Sequence, residues 1–377
     1  GMAGLFFLAT EKISFRKTLF AGLLLRFAVF WFVPNWSDDF VRFLWDGELL
    51  KSGQNPYTFT PREWQEANVD PYNAYGNQLF ENLNSPDYYS VYPPLNQAIF
   101  WLGAKASMGF VWNGYYAIRL ILVFGEIGVF LLLWRLLTAF QLPQKQIFWY
   151  WLNPLVIMEV TANLHFEGLV LLFLLAIQNQ KMGLSGGFWG LAIGMKLLPL
   201  MLGPAFLAFG KTRKSLWFWG GTALAFFVCL TPLLIGSSWI NFAQSLQLYQ
   251  GKFEFNASVY YLVREIGFWV EGYNVIGYVI PYFSAATVIF IAYFSWKKQP
   301  STLAELVDLI VLIYLVYLLL QPVVHPWYIL PALGLSLLQG KLTFLFWSFA
   351  AIFSYQAYGN ADFQEKYLFL ILEYALV

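Results

Sequence analysis

Long apolar runs, separated by short polar segments, extend over most of the chain. Those near the length of a membrane span lie at about 15–33, 115–138, 147–162, 167–180, 215–235, 275–296, 303–320, 326–339 and 342–358. Crossing the hydrocarbon core of a bilayer takes roughly 20 helical residues, so the longer runs meet this length and the shorter ones fall a little below it. The pattern predicts an all-α polytopic membrane protein.

The segment 184–210 decides how many times the chain crosses. As one helix of about 27 residues it would be about 40 Å long. Lys196, Pro199, Gly203 and Pro204 interrupt it, and proline inside a helix breaks or kinks it. We therefore expect two short helices that enter and leave on the same side. With these two arms the chain has about 11 transmembrane helices, within a range of roughly 10–13.

Loop charge supports the hairpin and orients the protein. A single crossing at 184–210 would move the basic residues that follow it to the opposite side. With a hairpin, one side receives most of the basic residues, and an excess of Lys and Arg marks the cytoplasmic side. The N-terminus is then cytoplasmic. These basic residues are Lys12, Arg16, Lys17, Arg135, Lys145, Lys181, Lys211, Arg213, Lys214, Lys297, Lys298 and Lys341.

Two long segments fall on the extracytoplasmic side, 34–114 and 236–274. The first is too polar to span, and its apolar end, 95–109, is short. We read that end as a helix at the outer interface, where Trp101 and Trp112 suit the depth. The alternative, a spanning helix at 95–109, would invert the charge pattern downstream. The whole chain, 1–377, is then a single transmembrane domain.

The composition indicates a protein that lies in membrane lipid and argues against nucleic-acid-binding and disulfide-rich proteins. Of 377 residues, 59% are hydrophobic and only 11% are charged, against roughly 25% charged in an ordinary soluble domain. The net charge of +1 gives no basic field for a nucleic acid partner. Cys229 is alone, so no disulfide framework or cysteine metal site is expected.

Acidic and histidine side chains on the outer side are the first candidates for chemistry. Asp38 and Asp39 directly follow the first apolar run. Neighbouring carboxylates repel, so one can have a raised pKa, and either can accept a proton or bind a divalent cation. The alternative is that they mark the end of a helix. His165 and Glu167 lie on an outer turn, where they either position a hydroxyl or phosphate or cap two helices.

Cations at membrane depth form the second group of candidates. His325 lies between two prolines, and irregular backbone at that depth is tolerated mainly where it lines a cavity. Arg119 opens the second spanning helix on the outer side, and Lys196 is at the tip of the hairpin. A buried cation needs an anion, and phosphate is one. The alternative for either cation is an ion pair with Glu126 or Glu159, whereas Arg26 is better explained as the partner of one of these glutamates.

Several motifs together resemble bacterial GT-C glycosyltransferases that use polyprenol-phosphate-mannose. Five matches occur in the family's order and extend to about residue 331. They are Ser37–Gly47 followed by Gly53–Tyr57; Tyr92-Pro93-Pro94-Leu95; Asn153-Pro154 with Glu159, His165 and Glu167; Met195-Lys196 with Pro199; and His325-Pro326-Trp327-Tyr328.

The resemblance implies a GT-C-like bundle with juxtamembrane helices in the first outer loop. It further implies an inverting reaction that moves a sugar, mannose, from a polyprenyl-phosphate donor to a glycan or glycolipid acceptor at the outer face of a bacterial inner membrane. Asp38 or Asp39 is then the catalytic base. The donor phosphate would be bound by Arg119, Lys196 and His325.

The acceptor or sugar side of the site is less well defined by the resemblance. Candidate residues are Arg42, Tyr92, His165 and Glu167. The turn reads Asn-Leu-His-Phe-Glu where relatives have a Gly-His-Asn-Asp-like sequence, so the acceptor can differ. A magnesium or manganese ion on Asp38 and Asp39 stays open, because Lys196 could supply the needed charge. Two other functions stay open, a transporter or flippase of a lipid-linked or anionic substrate and a non-catalytic scaffold subunit.

Overall fold

The computed structural model describes residues 14–34, 36–68, 73–178, 181–358 and 364–377, without the side chains of 249–252. Within them the ordered elements are helical. The N-terminal half contains α1 Phe15–Val29, α2 Asp39–Lys51, α3 Pro61–Ala67, α4 Ala74–Glu81, α5 Pro94–Ser107, α6 Val111–Ala139, α7 Phe148–Trp151, α8 Pro154–Val156 and α9 Glu167–Ala176. The rest contains α10 Met182–Met195, α11 Gly203–Ala208, α12 Gly210–Arg213, α13 Leu216–Leu230, α14 Ser238–Lys252, α15 Val259–Glu271, α16 Ile276–Lys298, α17 Leu303–Leu320, α18 Leu330–Ser336, α19 Thr343–Ala350 and α20 Tyr367–Tyr374.

Short 3₁₀ or π segments join several of these helices. The 3₁₀ segments are Gln144–Ile147, Leu198–Leu202, Thr231–Leu234, Pro326–Ile329, Leu337–Gln339 and Ala351–Gln356, and the π segment is Ile157–Ala162.

The chain is an all-α membrane protein, but its count of spanning helices is lower than expected. In the described part, four helices are long and apolar enough to cross a bilayer: Val111–Ala139, Leu216–Leu234, Ile276–Lys298 and Leu303–Leu320. A fifth results if Pro154–Ala162 and Glu167–Ala176, which are bent by 108°, count as one span. The predicted number of about 11 is therefore not confirmed.

The shortfall has visible causes in the other apolar runs. The run predicted at 15–33 is helical only over Phe15–Val29, about 22 Å of helix, less than the bilayer core. The runs at 326–339 and 342–358 alternate between short α and 3₁₀ segments. In the first of these, Pro326 and Pro331 remove backbone donors and prevent one long regular helix.

The helix break expected within 184–210 is present, with short helical segments on either side of it. Helix α10 ends at Lys196, whose backbone is extended (φ −153°, ψ 136°). After the break, the Trp189 indole donates to the Pro199 carbonyl over 3.0 Å, and its ring is 4.8 Å from that of Phe206. In one straight helix, residues 189 and 206 would be about 25 Å apart. The two arms therefore fold back on each other, with Lys196 at their junction.

Glycines bring the first arm of the hairpin into close contact with α13. A Cβ atom on Gly186 would be 1.8 Å from the Phe218 carbonyl oxygen, and one on Gly221 would be 2.0 Å from that of Gly183. Small residues allow such approach, which is how helices associate without a hydrophobic driving force in lipid. The Thr222 hydroxyl adds a 3.0 Å hydrogen bond to the Gly186 carbonyl. This packing fixes the arm that ends at Lys196.

The first outer loop is built on a helix pair. Helix α2 packs along α5, where a Cβ on Gly47 would be 2.2 Å from the Phe100 carbonyl oxygen. The rings of Phe43 and Phe100 stack with centroids 4.5 Å apart. The helix expected at 95–109 is present as α5. Because α5 also packs against α6, it ties the loop to the membrane-spanning bundle.

Candidate active site

A broken helix brings three of the candidate polar residues together. After α8 the chain makes the π segment, turns at Leu164 with φ +67°, and starts again as α9. A π turn and a left-handed leucine are both uncommon, and such conformations concentrate at functional sites. The Glu159 carboxylate accepts from the Asn163 amide over 3.1 Å, and its other oxygen is 3.2 Å from His165 Nε2. Glu159, His165 and Glu167 are all buried.

Lys196 reaches this turn from the junction of the hairpin. Its ammonium forms an ion pair with Glu167 and is 4.1 Å from the centre of the Tyr328 ring. The Lys196 side chain keeps 30% of its exposure and the Glu167 side chain only 3%. Its partner is thus neither Glu126 nor Glu159. The carboxylate is sealed in the protein, while the lysine side chain is still partly exposed.

Stacked rings connect the turn to the segment that contains the second histidine. Trp327 lies between His165 and His325, with ring centroids 3.6 Å and 4.3 Å away and nearly parallel planes. The other face of His325 stacks on Phe255, at 4.9 Å. Phe255 belongs to the second outer segment and is held by backbone bonds to Pro322 (3.0 Å) and from Val324 (2.8 Å). Both histidines are therefore fixed in one stack.

Asp38 and Asp39 lie at the start of α2. Asp38 is exposed and Asp39 half-buried, and the Asn84 amide donates to both, over 2.6 Å and 3.3 Å. Although Asp38 is exposed at the surface, the protein packed around its carboxyl partly desolvates it and raises its pKa; the Asn84 hydrogen bond opposes this shift and the charge of Asp39 adds to it. The raised pKa suits a proton acceptor better than that of an ordinary surface aspartate.

An aromatic bridge links this carboxylate pair to the buried turn. The Trp36 ring is 4.9 Å from that of Tyr355, and the Tyr355 hydroxyl donates to Glu159. Phe43 lies one helical turn after Asp39 on the same face of α2, and its ring is 5.4 Å from that of Phe166. Phe166 separates His165 from Glu167 in the turn. The face of α2 that starts at Asp39 therefore packs on the turn.

Arg42, which is buried, and Tyr92, which is half-buried, have supporting positions. Arg42 Nε is 2.7 Å from Asp46, and its other end donates to the carbonyls of Ser85 and Tyr88 over 3.1 Å and 2.9 Å. Asp46 also accepts from Ser90 and Gln97. The half-buried Tyr92 ring packs edge-on against Phe43 at 5.0 Å. These contacts hold the loop against α2.

Arg119 is fully buried and does not reach the cluster around Lys196 through any contact seen in the described residues. It donates to the backbone carbonyls of Phe30 and Ala162, which ties the end of α1 to the π segment. The expected role of Arg26 is confirmed, since its guanidinium is 2.7 Å from Glu126. Arg119 thus occupies the position of a clamp between backbone segments.

The carboxylate pair offers few ligands for a metal ion. Among the described residues, no group of three or more His, Cys, Asp or Glu side chains has a geometry that could hold one. Asp38 and Asp39 have an amide, Asn84, as their common neighbour. Two carboxylates alone do not complete the coordination of magnesium or manganese, which at such sites is shared between one or two carboxylates and substrate phosphate.

Two residues of this centre escaped the sequence analysis, Asn84 and Tyr355. Neither has a local signal, because an asparagine in a polar loop and a tyrosine in an apolar run are common. Both are brought in by tertiary folding, from more than 40 residues away in the chain. Glu159 was considered as an ion-pair partner and as part of the family motif, but with no role in the site, whereas here it lies with His165, Asn163 and Tyr355.

The fold and the site together describe an all-α membrane protein with a buried cluster of ionisable residues at a broken helix. Ionisable residues at membrane depth mark functional sites. Residues 5–210 match the family model described as alpha-(1→6)-mannopyranosyltransferase, N-terminal domain. The match covers more than half of the chain, and the protein belongs to this family of GT-C type mannosyltransferases. Glycosyltransferase activity is therefore supported. Among curated proteins, none matches the chain at a significant level.

Proposed function

We propose that the protein transfers mannose from a polyprenyl-phosphate donor to a hydroxyl of a glycan or glycolipid acceptor, with inversion, at the extracytoplasmic face of a bacterial inner membrane. The observation that carries the proposal is the meeting of Lys196, still partly exposed, with the His165–Glu167 turn at a break between membrane helices. Ionisable groups at such a position are costly and mark functional sites. Family membership supplies the sugar.

Asp38 is the proposed catalytic base. Its carboxylate is exposed, so an acceptor hydroxyl can approach it, and Asn84 restrains it. As the hydroxyl oxygen attacks the anomeric carbon, Asp38 takes its proton and the bond from that carbon to the phosphate oxygen breaks. The lipid phosphate leaves from the opposite face of the sugar, which inverts the configuration. The pKa of Asp38 is raised mainly by partial desolvation of its carboxyl, and the charge of Asp39 adds to this effect.

Lys196 and His325 are the proposed ligands of the donor phosphate. Charge builds on the phosphate oxygen as the bond breaks, and a positioned cation stabilises it. The ion pair with Glu167 holds the ammonium at the junction of the hairpin while keeping part of it open. His325, which is parallel to Trp327 in the stack, is positioned without the freedom of a surface side chain.

The remaining candidates have supporting roles in this proposal. His165 and Glu167 shape the wall between donor and acceptor, because both are buried in the turn that faces Lys196. Arg42 and Tyr92 position the loop that carries Asp38. Arg119 contributes by tying α1 to the turn rather than by touching phosphate.

The test is transfer by purified protein in nanodiscs. Polyprenyl-phosphate-mannose is supplied with alkyl α-mannoside acceptors, and the products are read by mass spectrometry, with linkage and anomeric configuration from NMR. We expect an added hexose with inverted configuration, absent when the donor is nucleotide-activated mannose. In sealed proteoliposomes, movement of the donor across the bilayer without any transfer would overturn the proposal and indicate a flippase.

A further inference from the structure

The first outer loop contains a cleft that is separate from the cluster around Lys196 and the His165–Glu167 turn. It is an open depression between the C-terminal half of α2 and the helices α3 and α4, with about 530 Å³ of empty space when the solvent at its wide mouth is counted. Its wall has aromatic rings and amides from all three helices, among them Trp45, Glu48, Trp64, Gln65, Tyr75 and Asn77.

The lining suits a neutral ligand rich in hydroxyl groups. Among the described residues that line it there is no Lys, Arg or His, and the one carboxylate among them, Glu48, is already paired with Lys51 at 3.0 Å. The Lys51 ammonium beside the wall is already engaged by Glu48, so the pair together offers a phosphorylated headgroup no net positive charge. Aromatic faces pack against the C–H faces of sugar rings, while amides both donate to and accept from sugar hydroxyls.

The wall is ordered before any ligand arrives. Gln65 donates to Asn77 over 2.7 Å, which fixes both amides, and the Asn73 side chain accepts from the Gly76 N–H over 2.9 Å. Trp64 is half-buried and its ring is 5.6 Å from that of Phe59. Fixed polar groups on rigid elements lose little entropy when a ligand binds, which favours a site over a mobile surface.

Trp45 adds an unsatisfied donor to the same wall. It is 4% exposed, and its indole N–H has no hydrogen-bond partner among the described residues. A buried donor without a partner is uncommon and costs free energy. A hydroxyl of a bound ligand, or a water that the ligand orders, would satisfy it.

The cleft and the carboxylate pair are on the same helix. Asp39 begins α2, and Trp45 and Glu48 follow on it, about 9 Å and 14 Å along the axis. A monosaccharide at the base cannot reach that far, whereas a chain of sugars can. Because α2 is a rigid helix packed on α5, the spacing between the two places is constant.

We infer that this cleft binds a sugar unit of the acceptor chain some way from the hydroxyl that reacts, so that the acceptor is an oligosaccharide. The inference rests on the proposed function and deepens it. The cleft holds the chain by ring stacking on Trp64 and Tyr75 and by amide hydrogen bonds, and α2 sets the distance from there to Asp38.

The test compares acceptors of different length on three variants. Trp64→Ala removes a stacking face, Gln65→Ala removes an amide, and Trp112→Ala, an exposed tryptophan at the start of α6, is the matched control. With an α-(1→6)-linked mannotetraoside acceptor, we expect KM to rise roughly 2- to 10-fold for each cleft variant. With a monosaccharide acceptor, KM and kcat should not change, and Trp112→Ala should match wild type with both.

An equal rise in KM with both acceptors, or no rise with either, would overturn the inference that the cleft binds acceptor sugar. Thermal melts identify a variant that has simply lost its fold, and Gln65→Ala then decides, since it removes little packing. Calorimetric binding of free mannotetraose to donor-free protein separates this inference from the proposed function. Binding that weakens with Trp64→Ala supports the cleft even if no transfer occurs. Transfer of mannose without binding of free mannotetraose would support the proposed function and refute the cleft as a sugar-binding site.

Discussion

The ion pair between Lys196 and Glu167 makes the most informative prediction, because its two members are buried so differently. Lys196→Met leaves a carboxylate that is 3% exposed without its partner. Removing one member of a buried pair costs about 3–5 kcal/mol. Because the lysine keeps 30% of its exposure, water screens part of the interaction, and we expect about 2–3 kcal/mol.

The reverse change should cost much less. Glu167→Gln leaves a lysine whose side chain is 30% exposed, so its effect on stability should stay below about 1 kcal/mol. The double variant lacks the stranded charge and should regain most of the stability, giving a coupling energy of about 2 kcal/mol. Thermal melts of the four proteins in nanodiscs measure this cycle.

Donor binding separates a structural lysine from a phosphate ligand. If Lys196 binds donor phosphate, the double variant should be stable yet still weak in donor binding. The loss of a charge-assisted hydrogen bond is about 1.5–3 kcal/mol, which corresponds to roughly 10- to 150-fold in Kd. Stabilisation of each protein by added polyprenyl phosphate measures it. A double variant that recovers both stability and turnover would refute the phosphate role.

Three further predictions concern the base, the metal and the sidedness. Asp38→Asn should lower turnover by roughly 10²–10⁴, with Asp87→Asn, an exposed acid in the same loop, as the unaffected control; near wild-type rates for both Asp38→Asn and Asp39→Asn would exclude the pair. Because a base must be ionised and the pKa of Asp38 is raised, turnover should fall on acidification at a pH above the ordinary aspartate value. Because Lys196 can supply the positive charge at the phosphate, EDTA should leave turnover unchanged. A loss of turnover that Mg²⁺ or Mn²⁺ restores would show that a metal ion is required. Cysteine at Asn82 should react with an impermeant maleimide in intact cells and cysteine at Gln299 should not, whereas the opposite result would reverse the orientation.

The two proposals together describe a division of labour in the first outer loop. The N-terminus of α2 carries the carboxylate pair, and its C-terminal half lines the cleft. Arg42 and Asp46, on the same helix, fasten the returning loop through the Ser85 and Tyr88 carbonyls. The helix thus works as a spacer whose length and rigidity set which part of an acceptor meets the base.

The residues by themselves determined the class and most of the candidate chemistry. Apolar content and the spacing of the runs require a membrane protein of helices, because lipid leaves every backbone group to be satisfied inside a segment. Prolines and glycines around Lys196 identified the hairpin and placed the lysine at its junction. The short motifs around Asp38, His165 and His325 indicated the family that the match over residues 5–210 then supported.

Only the tertiary structure shows which side chains pair with each other and where the predicted helices are interrupted. Lys196 pairs with Glu167 and not with Glu126 or Glu159, because a bend of 108° turns Glu167 toward the hairpin. Side-chain contacts across many residues, such as Tyr355 with Glu159, leave no periodic trace in a sequence. The predicted count of spanning helices is not confirmed, because hydropathy reports how apolar a run is and not whether its backbone stays helical. The cleft beside Trp45 exists only because α2, α3 and α4 fold together.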